Sequence, residues 1–213
     1  MSLVKPLPAL CLCLSIGCSL IDGQGEETGA GLTQEEIDLM KPCTIAAPGD
    51  RLDITGGCAD TVCATDSYAQ INQKLGETGH CSGASTPGAT GQTLRCSWRE
   101  GAISAWFDDD EGDDVPDEGP TMQGLHLSAS WDGSDPNGLA MGLSLRCFID
   151  LLGMPDQVNH TLYDNVTRQV SGLYWDALGF EVEDDHGRSD DLPNGYVDGM
   201  AIGYRRPPPE SHP

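Results

Sequence analysis

Positive charge is scarce in this chain: 11 Lys and Arg stand against 34 Asp and Glu, a formal net charge of −23. Such a field repels phosphate backbones and anionic lipid surfaces, so it argues against nucleic-acid binding and leaves cationic partners, divalent metals or plain solubility. Long hydrophobic runs are missing as well. The apolar run Leu7 to Gly17, broken by Pro8, falls short of the ~20 residues a membrane-spanning helix needs. Aromatic residues are few, with four Trp, five Tyr and three Phe, whereas inhibitor-type interfaces lean on many exposed rings. Catalytic signatures are also missing: no Gly-x-Ser-x-Gly, His-Glu-x-x-His or phosphate loop occurs. None of His80, His126, His160, His186 and His212 stands in a catalytic pattern with Ser or Cys. No Cys-x-x-Cys pair is present, which weighs against structural zinc. These absences favour a protein that is not an enzyme.

What the chain does have begins with an export pattern. Lys5 supplies a positive start, the apolar run follows, and Leu14-Ser15-Ile16-Gly17-Cys18 resembles a bacterial lipobox. Residues 1–17 are therefore read as a lipoprotein signal peptide, with Cys18 as the lipidated (diacylglyceryl, palmitate-bearing) residue. An ordinary cleaved signal peptide is the alternative. Ser19, rather than Asp, after the cysteine favours the outer membrane or cell surface, with the lipid anchor as the sole membrane contact. Cys11 and Cys13 leave with the signal. Six cysteines then remain: Cys43, Cys58, Cys63, Cys81, Cys96 and Cys147. An even number in an exported chain suggests disulfide bonds.

Residues 18–41 have the polar composition of a flexible tether, although Thr33-Gln-Glu-Glu36 can cap one short helix. Beyond it the chain repeats itself. Tyr68-Ala-Gln-Ile-Asn-Gln-Lys-Leu75-Gly76 aligns with Leu145-Arg-Cys-Phe-Ile-Asp-Leu-Leu152-Gly153, each a short amphipathic helix ended by Gly. Cys96-Ser-Trp98 aligns with Leu173-Tyr-Trp175, and an alternating strand follows in each, with Ile103, Ala105 and Phe107 set against Leu178, Phe180 and Val182. That last match implies a two-residue slip in the hairpin turn. Acidic turns come next, then Gly124-Leu125-His-Leu127 against Gly199-Met200-Ala-Ile202. The expected fold class is α+β, in two tandem copies over residues 42–133 and 134–206. Each copy packs a short helix on an antiparallel β-meander, and a Pro-rich tail covers 207–213. Cys81 and Cys96 bracket the first module's variable loop, Cys58 and Cys63 close a short segment, and Cys43 and Cys147 remain to join the leading segment to the second helix. A buried free thiol is the alternative for Cys147.

The helix ending in Leu-Gly, the loop and the Trp strand resemble the SmpA/OmlA (BamE-like) small lipoproteins. The tandem form is similar to the β-lactamase inhibitory protein fold. The likeness rests on residues 68–76 with Trp98 and on Phe148-Ile-Asp-Leu-Leu-Gly-Met-Pro155 with Trp175. It implies binding rather than catalysis: an envelope module that assists assembly or clamps a protein partner on its sheet. With Trp98, Phe107, Trp175 and Phe180 assigned to the core, Trp106, Trp131, Tyr174, Tyr196 and Tyr204 are the surface aromatics open to a partner. β-Lactamase inhibition itself is not carried over.

Two acidic stretches, residues 108–118 and 183–191, fall in equivalent turns. Carboxylates at this density repel unless solvated or bridged, and calcium takes six to eight oxygens from such clusters. Asp108, Asp110, Asp113, Asp114 and Asp117 are the first-loop calcium candidates; Asp184, Asp185, Asp190 and Asp191 form the second set. A solvated acidic turn is the simpler reading, with no cofactor required. The expected function is thus a non-catalytic envelope lipoprotein binding an envelope protein. A calcium-dependent structural or adhesion protein using the acidic hairpin loops, or an inhibitor of an envelope or secreted enzyme, stands as the alternative.

Overall fold

Two of the three helices start where polar side chains satisfy orphan backbone groups. In the computed structural model, which describes residues 31–83, 92–163, 167–184 and 196–203, Ser67 accepts from the Gln70 amide while the Gln70 side chain accepts from the Ser67 amide. That capping box opens α2 (Tyr68–Leu75), and Gly76 closes it in the left-handed conformation at φ 71°. Thr33 and Glu36 form the same box ahead of α1 (Gln34–Leu39). The third helix, α3 (Leu145–Leu152), buries Leu145, Cys147, Phe148 and Ile149 along one stripe. It stops at Gly153, whose φ of 85° and ψ of −171° lie in a region open in practice only to glycine.

The described chain is α+β and mostly β: three short helices, a small three-stranded sheet and a large antiparallel one. The small sheet holds β1 (Leu52–Asp53), β2 (Cys58–Ala59) and β3 (Val62–Cys63). The large sheet holds β4 (His80–Gly83), β5 (Gln92–Trp98), β6 (Ile103–Asp109), β7 (Leu125–Ser128), β8 (Gln157–Tyr163), β9 (Thr167–Trp175), β10 (Phe180–Glu183) and β11 (Gly199–Ile202). Its spatial order is β4-β5-β6-β7-β11-β10-β9-β8. Successive side chains of a strand point to opposite faces, so cross-strand partners form rows. One row runs Val158, Leu173, Val182, Met200, Leu127, Ile103, Trp98. A second runs Trp175, Phe180, Ile202, Leu125, Ala105, Cys96, Cys81. Both are apolar and cross the β7–β11 junction without a break, so the sheet has one core. Tyr68 of α2 packs on Trp98 and Phe107, and Phe148 of α3 packs on Phe180, which places both helices on this face.

The register corrects the alignment of the second strands. Trp98 lies opposite Ile103 and Trp175 opposite Phe180, so the strand residue facing the second Trp is Phe180, not Leu178, and the two hairpin turns have equal length. The sequence misleads here because Leu178, an apolar residue, occupies the turn, half-buried.

The leading segment is more ordered than tether composition implies. Ile37 of α1 is buried, Glu36 meets His160 of β8 at 2.9 Å, and Arg146 of α3 donates to the Ile37 carbonyl. A strap then follows the connection between β7 and α3, through Ala46 N to Gly138 O, Gly49 N to Asp135 O and Leu52 N to Ser134 O. The approach is close at Gly138 (φ 85°), where a Cβ would lie 2.5 Å from the Ala46 carbonyl oxygen. Three cysteine pairs stand at bonding distance: Cys43–Cys147, Cys58–Cys63 and Cys81–Cys96. These are the three pairings expected from the spacing of the six cysteines. The first ties the strap to α3; the other two are cross-strand pairs, in β2–β3 and β4–β5.

Candidate binding face

The face of the large sheet turned away from α2 and α3 carries its own row, one residue from each strand: His80, Ser97, Ser104, His126, Ala201, Glu181, Tyr174, Gln157. Ser104, Ala201 and Tyr174 are buried; the other five are half-buried or exposed. Beside the row, Arg95 and Trp106 are a cross-strand pair, with the guanidinium 5.0 Å from the indole centroid. Trp106 meets the His126 ring edge-on at 4.3 Å, and Arg95 Nη2 lies 3.3 Å from the Ser104 hydroxyl oxygen. Burial pushes the His126 imidazole down to about 4; the Arg95 charge adds to this, and a hydrogen bond to the Gln123 backbone works against it. The ring is therefore neutral near pH 7. On the other half of the face Asn159 Nδ2 lies 3.4 Å from Glu181 Oε1, and Glu183 lies exposed on the same strand. This is a mixed surface: a stacked Arg–Trp–His group on one side of the β7–β11 seam and carboxylates on the other.

The proposed surface aromatics separate on inspection. Trp106 lies on this face and is half-buried. Tyr174 shares the face but is only 4% exposed, which corrects its reading as an accessible ring. Trp131 is corrected too: at 2% exposure it is core, because Arg51 stacks over its ring and its indole N–H points to Asp60. Tyr196 sits elsewhere, half-buried under the Lys41 ammonium and bridged to Ser144. Tyr204 and Cys18 lie outside the described residues.

The acidic connection after β6 is organised by a residue that the sequence reading passed over. The alternation Ile103, Ala105, Phe107 continues to Asp109, which is fully buried. Its carboxylate accepts from the Gly112, Asp113 and Asp114 amides at 2.8–3.2 Å. Asp117 accepts from the Asp110 amide, and Asp113 from the Val115 amide. Asp108, Asp110, Asp113 and Asp114 are exposed and Asp117 half-buried. Among the described residues no three Asp, Glu, His or Cys side chains stand together as a metal site. Of the second acidic set, Asp184 is 8% exposed, while Asp185, Asp190 and Asp191 lie outside the described residues. Asp109→Ala orphans three backbone donors and is expected to cost ~1–3 kcal/mol, measured by urea unfolding. Asp110→Ala, which removes an exposed side chain, is expected to stay within about 0.5 kcal/mol of wild type.

A second polar cluster sits at the turn between β2 and β3. Asp60, held at φ 54°, accepts from Arg51 Nε at 2.5 Å, Arg99 Nη1 at 2.6 Å and Trp131 Nε1 at 3.4 Å. Arg51 also bonds Asp132. One carboxylate thus joins the strap, the β5–β6 turn and the β7–α3 connection. Burial works to raise the Asp60 pKa, but the hydrogen bonds from Arg51 and Trp131 and the charges of Arg51 and Arg99 outweigh it, leaving the group below its ordinary value. A depressed folded pKa gives stability that is complete above the unfolded pKa of ~3.9 and is lost as pH falls through the folded value. Asp60→Asn is therefore expected to lower the melting temperature at pH 7. Its deficit against wild type should shrink as pH falls below about 4, followed by circular dichroism melts at each pH.

No helix among the described residues is long and apolar enough to cross a membrane. Comparison of the chain with family models, curated proteins and solved structures gave no match.

Proposed function

We propose that the chain is two copies of one helix-plus-four-strand module and serves as a non-catalytic envelope lipoprotein that binds a protein partner on the sheet face opposite α2 and α3. The observation that carries this reading is the row that crosses all eight strands opposite α2 and α3, in which His80, Ser97, His126, Glu181 and Gln157 are half-buried or exposed, with the Arg95–Trp106 pair beside it. The duplication has separate support. Trp98 donates its indole N–H to Asn72 Oδ1 in the last turn of α2, and Trp175 donates to the Gly153 carbonyl at the end of α3. Cys81–Cys96 and Val158–Leu173 are corresponding cross-strand pairs. At the seam Leu125 pairs with Ile202 and Leu127 with Met200, about the His126–Ala201 pair. Equivalent residues thus exchange places across the seam, as in an isologous dimer. The resemblance to BamE-like and inhibitory-protein modules is part of the same proposal, as are export, the Cys18 anchor and placement at the outer membrane or cell surface.

The test is affinity purification of the full chain from its native envelope with EDTA present. One protein partner is expected to stay bound. Trp106→Ala should weaken it by roughly tenfold or more, the loss typical of a central aromatic contact. Loss of the partner in chelator, with a calcium-specific rise in melting temperature over a magnesium control, would replace this reading by the calcium-dependent one.

A further inference from the structure

We infer that Cys58–Cys63 is a redox-addressable latch: its reduction alone releases the Asp60 cluster and the strap while the large sheet stays folded. Three observations converge on this bond. Access is the first. Both halves of Cys58–Cys63 are half-buried, whereas each of the other pairs has one half, Cys96 or Cys147, at 0% exposure and the other, Cys81 or Cys43, half-buried against the core, so only this bond is open from both sides. Thiol–disulfide exchange requires a thiolate to reach a sulfur, so exposure sets which bond opens first. Chain entropy is the second. The separations are 5, 15 and 104 residues for Cys58–Cys63, Cys81–Cys96 and Cys43–Cys147. The shortest loop constrains the unfolded chain least, so the fold loses least when this bond opens.

The third is what the bond holds. Cys58 and Cys63 face each other across β2 and β3, each two residues long, and the turn between them presents Asp60. The three-stranded sheet they belong to has strands of only two residues each, and a sheet this short is marginal without a staple even with Ala59 and Val62 buried. Asp60 grips Arg51, Arg99 and Trp131, so freeing its turn loosens the strap where it runs along the β7–α3 connection. The large sheet is held by its own rows and by Cys81–Cys96. The reductant is a dithiol. One thiolate attacks a sulfur of the pair and expels the other as a thiolate; the reagent's second thiol then displaces the mixed disulfide. The protein gains two electrons and two protons, and the dithiol leaves as its own disulfide.

The experiment titrates the oxidised full chain with dithiothreitol in native buffer, quenches with an alkylating agent and maps the labelled peptides. Hydrogen exchange is followed in parallel. Cys58 and Cys63 are expected to label at a dithiol concentration at least tenfold below that for the other four. Exchange should rise over residues 49–64, 99–101 and 131–134 but not in β5, β6 or β9–β11. Another pair labelling first or together, or labelling without that local rise, overturns the inference. Cys58→Ser/Cys63→Ser is expected to fold and to show the same local rise without reductant. A variant that fails to fold, or that exchanges like the oxidised wild type, also overturns it.

Discussion

Replacing Cys43 and Cys147 together by Ala is expected to lower the unfolding free energy by about 4–5 kcal/mol, the largest single loss in this chain. The pair joins residues 104 apart, and the entropy removed from the unfolded state grows with the closed loop, reaching ~4.7 kcal/mol near 100 residues. Its native-state role points the same way. Cys147 lies fully buried on α3, and Cys43 begins the strap whose later hydrogen bonds to Gly138, Asp135 and Ser134 depend on its path. For a domain of this size the loss corresponds to a fall in melting temperature of roughly 10–20 °C. Urea unfolding of the oxidised wild type and the double variant, at matched pH, measures it. A loss below about 2 kcal/mol would place the strap's stability in its backbone contacts instead.

The second large effect is expected at Trp98. Its ring is 2% exposed, packs against Tyr68 and Phe107, and donates to Asn72 Oδ1 at 2.8 Å. Gly79 lies against the same indole, with no room for a Cβ. Trp98→Ala empties that site and is expected to cost ~3–5 kcal/mol. Trp98→Phe keeps most of the volume and loses the hydrogen bond. Asn72 Oδ1 retains the Gly79 amide, so this variant should cost less. Trp175→Ala is expected to match Trp98→Ala in size, since Trp175 packs on Phe180 and bonds the Gly153 carbonyl. The two clusters share no partner, so the Phe variants, each mild enough to leave the fold intact, should combine additively to within about 0.5 kcal/mol. Chemical unfolding of the single and double variants supplies the comparison.

How far the sequence spoke depended on periodicity. Helices α2 and α3, their closing glycines and the Trp strands were legible because apolar spacing and a helix-ending Gly act within a few residues. The register of the hairpins was not. Period-two alternation cannot tell Leu178 in a turn from the strand residue two places on, and the cross-strand partner decides. Trp131 illustrates a second limit. Its neighbours Ser130, Asp132 and Gly133 have surface composition, yet Arg51, 80 positions earlier, folds over the ring. Asp109 was within reach, since parity counted from Ile103 puts it inward; its acidic neighbours hid it. Beyond its Cys43–Cys147 tie to α3 the strap was not legible, for it has no period and is held by backbone bonds to a distant loop. The binding face inherits these limits: Trp106 and its strand were legible, while the pairing that brings Arg95, His126 and Glu181 onto one surface is a property of the closed sheet.

The proposal that the sheet face opposite α2 and α3 binds a protein is tested most directly by placing a photoreactive residue at Trp106, and separately at Leu151 on the exposed side of α3, then irradiating intact native cells. The account predicts an adduct of one defined size from the Trp106 position and none from Leu151. Equal adducts from both positions, or an adduct from Leu151 alone, would contradict it.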